Sequence, residues 1–134
     1  MHKANDDGGP DRVLIVDDCA DNRRLVATCL GAVDGVVAEE AGDAWSALRM
    51  MVKRVPDLLI LDMDLPLLSG YQTTRMVRAW GGRFADLPIL AITAAPALDA
   101  HAQCLDAGAN DFMAKPLSPT TLRTKVRAAL GHAI

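Results

Sequence analysis

Aromatic residues make up only 4% of this 134-residue chain, and glutamate occurs twice, at Glu39 and Glu40, against fifteen aspartates. Basic residues are not in excess: 14 Lys and Arg against 17 Asp and Glu leave a net charge of −3. That balance excludes the strongly cationic surface of a chain whose main partner is nucleic acid. The three cysteines, Cys19, Cys29 and Cys104, are odd in number and far apart, with no CxxC and no Cys/His ligand spacing. A disulfide framework and a zinc site are thereby excluded, and free thiols in a reducing compartment are expected. No apolar run approaches the ~18 residues of a membrane span. The polar start, Met1 to Asp11, carries Asp6-Asp7-Gly8-Gly9-Pro10 and lacks the apolar stretch of a signal peptide. A flexible leader over residues 1–11, a cytoplasmic location and no membrane contact are the expectations.

What is present is one domain's worth of chain. It is 51% hydrophobic and long enough to remove roughly two-thirds of its unfolded surface from water. Five short apolar runs stand out: Val13-Leu14-Ile15-Val16, Val36-Val37-Ala38, Leu58-Leu59-Ile60-Leu61, Ile89-Leu90-Ala91-Ile92 and the weaker Phe112-Met113-Ala114. Continuous rather than alternating runs are how strands buried on both faces read. Helical spacing lies between them. Leu25, Val26, Cys29 and Leu30 precede a possible stop at Gly31. Asp43 caps a helix carrying Trp45, Leu48, Met51 and Val52. Ser69 caps one carrying Tyr71, Thr74, Met76, Val77 and Trp80, closed by Gly81-Gly82. A fourth helix runs from about Leu98 to Ala107 with Leu105 buried, and Ser118-Pro119 opens a fifth with Leu122, Val126 and Leu130. Trp45 and Trp80 are expected to cover helix–sheet gaps, and Cys19 to be structural.

The order is βαβαβαβαβα. Strict alternation with short links implies an α/β fold with a parallel sheet covered on both faces. Five units are too few for an eight-stranded barrel, so right-handed crossovers leave an open doubly wound five-stranded sheet. Its ligand site belongs at the carboxyl ends of the strands. Those ends carry Asp17-Asp18, then Asp62 with Asp64 two residues on, then Thr93, then Lys115-Pro116. Clustered carboxylates raise one another's pKa unless a cation neutralises them. All-oxygen ligands select a hard ion, Mg²⁺ or Mn²⁺. A carboxylate beside such an ion can attack phosphorus and form an aspartyl phosphate, whose charge an ammonium and a hydroxyl can share. Each residue also has a plainer reading: Asp17-Asp18 as a helix cap, Asp62 capping a turn, Thr93 ending a strand, Lys115 in a solvated turn. Their joint occurrence is what carries weight.

Val13-Leu14-Ile15-Val16-Asp17-Asp18, Leu59-Ile60-Leu61-Asp62-Met63-Asp64-Leu65-Pro66-Leu67-Leu68-Ser69-Gly70, Ile92-Thr93-Ala94 and Lys115-Pro116 together resemble a response-regulator receiver domain of the single-domain, chemotaxis-regulator type. The resemblance spans about Arg12 to Leu130. It implies a flavodoxin-like (βα)5 fold with strand order 2-1-3-4-5 and a receiver over residues 12–131, with no output domain after it. It implies Asp62 as phosphoacceptor. Asp17 and Asp18 are implied to hold Mg²⁺ (or Mn²⁺), Asp18 the more direct ligand, with Asp62 and the backbone carbonyl of Asp64 completing the protein ligands. Thr93 and Phe112 are implied as the switch pair, Lys115 as the phosphate partner and Lys115-Pro116 as a cis bond. Gly70 fits the turn after the acceptor loop, where a positive φ suits glycine.

The implied function is a two-component phosphorelay switch. It takes a phosphoryl group from a sensor histidine kinase or histidine phosphotransfer protein and signals to a downstream protein by contact or onward transfer. It catalyses its own phosphorylation and dephosphorylation without being a metabolic enzyme. Partners of this family dock around the first helix, where Asp21, Asn22, Arg23, Leu25 and Val26 lie. Arg123, Lys125 and Arg127 give the last helix a modest basic face that does not license direct DNA binding. Two other functions fit part of the pattern. Asp62-x-Asp64 also resembles the nucleophile motif of haloacid-dehalogenase-type phosphatases, but that family carries its acidic pair after the Lys, and here no acidic residue follows Lys115. A receiver-like interaction module that is not phosphorylated would not need the full Asp17, Asp18, Asp62, Thr93 and Lys115 set.

Overall fold

Apolar runs of three or four residues are too short for helices and here form strands, linked by helices of ten or eleven residues. The structure, a computed structural model, describes residues 8–94 and 97–132; residues 1–7 of the expected leader lie outside these. The order is β1 (Asp11–Val16), α1 (Ala20–Leu30), β2 (Val36–Ala41), α2 (Ala44–Lys53), β3 (Leu58–Asp62), α3 (Gly70–Ala79), a 3-10 turn (Gly82–Phe84), β4 (Ile89–Thr93), α4 (Ala97–Ala107), β5 (Asp111–Ala114) and α5 (Pro119–Ala129). The five strands form one parallel sheet in the order β2-β1-β3-β4-β5, the flavodoxin-like (βα)5 arrangement.

Successive strand side chains point to opposite faces, and the core divides accordingly. Leu14, Val16, Leu59, Leu61, Ile89 and Ala91 pack with Leu48 and Met51 of α2, Val77 of α3 and Cys104 of α4. Val13, Ile15, Leu58, Ile60, Leu90 and Ile92 pack with Val26 and Leu30 of α1 and Leu122 and Val126 of α5. The central strands are buried on both sides because helices cover both.

The helix starts follow capping chemistry. The Asp43 carboxylate accepts the Ser46 N–H at 2.7 Å, Ser69 and Gln72 form a reciprocal capping box, and Ser118 accepts the Thr121 N–H ahead of Pro119. β2 runs further than its apolar residues, through both glutamates. Glu39 pairs with Arg12 at 2.6 Å and Glu40 with Arg23 at 3.2 Å, so ion pairs to β1 and α1 extend this edge strand.

Three details differ from the sequence reading, and one expectation is met in another geometry. Leu105 is 44% exposed, and Cys104 takes the inward place in α4, since one residue turns a helix by about 100°. Trp45 and Trp80 are 52% and 42% exposed and cover no helix–sheet gap; α2 meets the sheet through Ala44, Ala47, Leu48 and Met51 instead. Gly31 does close α1, in right-handed geometry, and Gly35 further along that loop has a positive φ. Cys19, the N-cap residue of α1, is exposed.

Candidate functional site

The two-residue strand period fixes which side chains meet. Asp17 follows Val16, Asp62 pairs in register with Ile92, and Thr93 pairs with Ala114, one residue before Lys115. Asp17, Asp62 and Lys115 therefore fall on the α1/α5 side of the sheet's carboxyl edge. Thr93 shares its side with Ala91 and Phe112, the side that α4 covers. The sequence places these residues at strand ends; the register sorts them onto two faces.

Asp62 is 2% exposed. Its Oδ2 accepts from the Lys115 ammonium at 3.2 Å, and its Oδ1 accepts the Asp64 N–H at 2.9 Å. Burial works to lower the Lys115 pKa, but the hydrogen bond to Asp62 and the charges of Asp62, Asp17 and Asp64 outweigh it, and the net shift is upward. Lys115 is therefore a fixed cation at neutral pH. The Lys115–Pro116 peptide bond is cis. A cavity of about 390 Å³ opens beside Asp17, Asp62 and Lys115, walled by Leu25, Pro116 and Leu117. On α1, Leu25 and Asp21 are exposed while Val26 is buried. Arg23 donates to the Asp17 carbonyl and to Glu40. Lys125 of α5 pairs with Asp111 at 2.8 Å, which reduces the free charge of that helix's basic face.

Asp17, Asp18 and Asp62 each present a carboxylate oxygen within 4.8 Å of the others. Burial raises the Asp17 pKa. Repulsion from Asp62 and Asp18 adds to this, and the hydrogen bond from the Cys19 N–H and the charge of Lys115 offset part of it. The carboxylate pair does not cap α1 with a side chain. Three crowded oxygen donors, two of them buried, fit a hard divalent cation.

Several contacts were not legible in the sequence. The Asp64 side chain reaches across to accept the Ala94 N–H at 2.9 Å, tying the β3–α3 loop to the β4–α4 connection. Thr93 is fully buried, and the Tyr71 hydroxyl of α3 lies close to it and to Cys104 of α4. Burial pushes up both the Tyr71 phenol and the Cys104 thiol. Phe112 stacks on His101 of α4, with ring centroids 4.7 Å apart. Tyr71 carried a signal only as a core residue of its helix, and His101 and Cys104 carried none. Gly70 does not have the expected positive φ. It opens α3, and a Cβ there would lie within 2.5 Å of Met63 Cα and closer still to the Asp62 carbonyl oxygen. The left-handed residue of the loop is Leu67, with φ 68° and almost complete exposure. Close approach to the Asp62 and Met63 backbone, not backbone handedness, is what requires glycine at position 70.

Residues 13–127 match the family model described as the response regulator receiver domain. The chain is 28% identical to the chemotaxis protein CheY4 of Vibrio cholerae, with a TM-score of 0.83 over 91% of this chain and 100% of that one. It is 34% identical to a putative response regulator from Chloroflexus aurantiacus, with a TM-score of 0.81 over 92% and 99%. It is 37% identical over 119 residues to the response regulator MprA of Mycobacterium leprae, covering 89% of this chain and 50% of that one. The chain spans about half the length of the curated relatives it matches. The chain belongs to the response regulator receiver family. Receiver domains of this family act as phosphorelay switches in two-component signalling and catalyse their own phosphoryl transfer. Family membership implies a histidine kinase or histidine phosphotransfer protein as partner. No described helix is long and apolar enough to cross a membrane.

Proposed function

We propose that Asp62 accepts the phosphoryl group and that the surrounding side chains act as one charge-balancing set. A carboxylate oxygen of Asp62 forms the new P–O bond as the P–N bond of a partner's phosphohistidine breaks and the imidazole leaves. The single observation that carries this reading is the buried Asp62 carboxylate held by the Lys115 ammonium at 3.2 Å. Asp17, Asp18 and Asp62, with the Asp64 backbone carbonyl, would hold Mg²⁺ or Mn²⁺, which when bound neutralises charge on the phosphoryl oxygens. Lys115 meets the same charge from the other side. The Thr93 hydroxyl turns from Tyr71 toward the new anion, and Phe112 follows on the same face of the sheet, leaving its stack on His101. A two-state element biased by a local charge thereby alters the α4–β5–α5 surface.

The receiver unit is assigned to residues 12–131, and its output is contact with a downstream protein or onward phosphotransfer rather than direct DNA binding. The exposed α1 residues Asp21 and Leu25 and the adjoining cavity suit a partner that brings its phosphohistidine to Asp62 from that side. The free thiols Cys19, Cys29 and Cys104 accord with a reducing, cytoplasmic setting. Acetyl phosphate or phosphoramidate with Mg²⁺ adds one phosphoryl mass, and Asp62→Asn removes it. Labelling that survives Asp62→Asn refutes the assignment, and rapid turnover of varied phosphomonoesters would establish a phosphatase instead.

A further inference from the structure

On the face of the sheet away from α1 and α5, two neighbouring helices leave an apolar groove open to solvent. Trp45 and Val52 of α2 line it with Met76 of α3 and Trp80, the C-cap of α3, around a cavity of about 380 Å³. Trp45, Val52 and Trp80 are 52%, 68% and 42% exposed. Phe84 packs edge-on against Trp80, with ring centroids 4.9 Å apart, so that side of the groove is a built wall. In a chain with five aromatic residues, both tryptophans stand here, away from Asp62 and its neighbours. Scattered exposed apolar residues need no explanation, but a contiguous group marks a contact surface. Tryptophan, methionine and arginine are also the residues that interfaces enrich.

The charge of this face runs against that of the whole chain. Within their bounds α2, α3 and the 3-10 turn carry Arg49, Lys53, Arg75, Arg78 and Arg83 and no carboxylate, in a protein of net charge −3; Asp43 at the α2 N-cap acts on Arg49 and Asp86 on Arg78. Arg78 is engaged within the fold by the Gly108 and Phe84 carbonyls and Asn110. Arg49 and Lys53 line the groove itself. A symmetric contact between two copies would set these cations against their own counterparts, which disfavours self-association through this face. An anionic partner gains from the same arrangement. α2 lines the groove from Trp45 to Lys53, a span of roughly 13 Å, and Met76 and Trp80 close its other side; that span matches a little over two turns of a helix laid along α2.

We propose that the α2–α3 groove docks an acidic amphipathic helix of a partner protein. The helix's apolar stripe seats between Trp45 and Trp80, and its carboxylates meet Arg49 and Lys53. The surface is independent of the phosphoryl site and leaves the α1 and α4–β5–α5 faces open. The test titrates the full chain with a synthetic helix carrying a leucine stripe and a glutamate polar face, free of tryptophan. Trp45 and Trp80 are the chain's two tryptophans, so their emission reports this groove alone. The expected result is a saturable blue shift. The double variant Arg49→Glu, Lys53→Glu weakens binding about 10-fold or more, with unchanged circular dichroism and unchanged labelling by acetyl phosphate. Four results overturn the proposal: no saturable shift, equal binding of a helix with a lysine polar face, a response only to phosphatidylglycerol vesicles, or a shift that tracks self-association by sedimentation.

Discussion

The Asp64 carboxylate accepts the Ala94 backbone N–H at 2.9 Å, so the loop after Asp62 holds the loop after Thr93. Asp62 Oδ1 in turn accepts the Asp64 N–H, which makes Asp62, its second neighbour and the β4–α4 connection one hydrogen-bonded run. Asp64→Ala is expected to speed exchange of the Ala94 amide proton. It also removes a negative charge near the incoming phosphoryl group, so initial labelling by acetyl phosphate rises severalfold, corresponding to about 1 kcal/mol. Asp64→Asn keeps an acceptor for Ala94 and separates the two effects: labelling rises while amide exchange stays slow. Mass spectrometry and amide exchange read both.

Asp17 is destabilising until its charge is met. Burial is the main reason its pKa is raised, with Asp62 and Asp18 adding to it. A raised carboxylate favours folding when protonated. The penalty is therefore absent below pH 3.8, the ordinary value, and fully present once the pH exceeds the raised folded value. With chelator at neutral pH, Asp17→Asn is expected to raise the Tm, because it removes a buried charge that Asp62 and Asp18 oppose. Mg²⁺ reverses the order: at 100-fold over its Kd it stabilises the wild type by about 2.7 kcal/mol and the variant far less. Thermal melts with EDTA and with Mg²⁺ give the comparison.

Gly70→Ala forces a methyl group onto the Asp62 carbonyl and Met63 Cα. Both are backbone and cannot swing aside, so the β3–α3 loop must shift. A loss of about 1–3 kcal/mol is expected, together with slower labelling, because the displaced backbone is that of Asp62 itself. Urea denaturation and the labelling rate measure the two consequences.

Asp43 caps α2 through the Ser46 N–H and hydroxyl, and these bonds hold its pKa below the ordinary 3.8. A depressed carboxylate contributes stability that is complete above pH 3.8 and is lost as the pH falls through the lower folded value. Asp43→Ala lowers Tm at neutral pH, and the gap to wild type closes in that acidic window. Asp43→Asn retains capping and loses the pH dependence. Melts across the acid range follow both variants.

The residues at the strand ends were legible because buried parallel strands read as unbroken apolar runs, and the polar residue that breaks each run lies at the sheet's carboxyl edge. Asp17, Asp62, Thr93 and Lys115 were found this way, as were the caps at Asp43, Ser69 and Ser118, whose chemistry is local. Leu105 and the two tryptophans were misplaced because an apolar residue at helical spacing can face either flank, and packing against neighbouring helices decides which. By itself, the sequence determined the order of elements, the parallel sheet and the set of groups at its carboxyl edge, since these follow from periodicity and run length. Only the tertiary structure decided which of those groups meet. The register of β3, β4 and β5 set Asp62 and Lys115 on one face and Thr93 and Phe112 on the other. Contacts between residues far apart in the chain then joined Asp64 to Ala94 and Thr93 to Tyr71, because no local pattern encodes which loop a flexible side chain will reach.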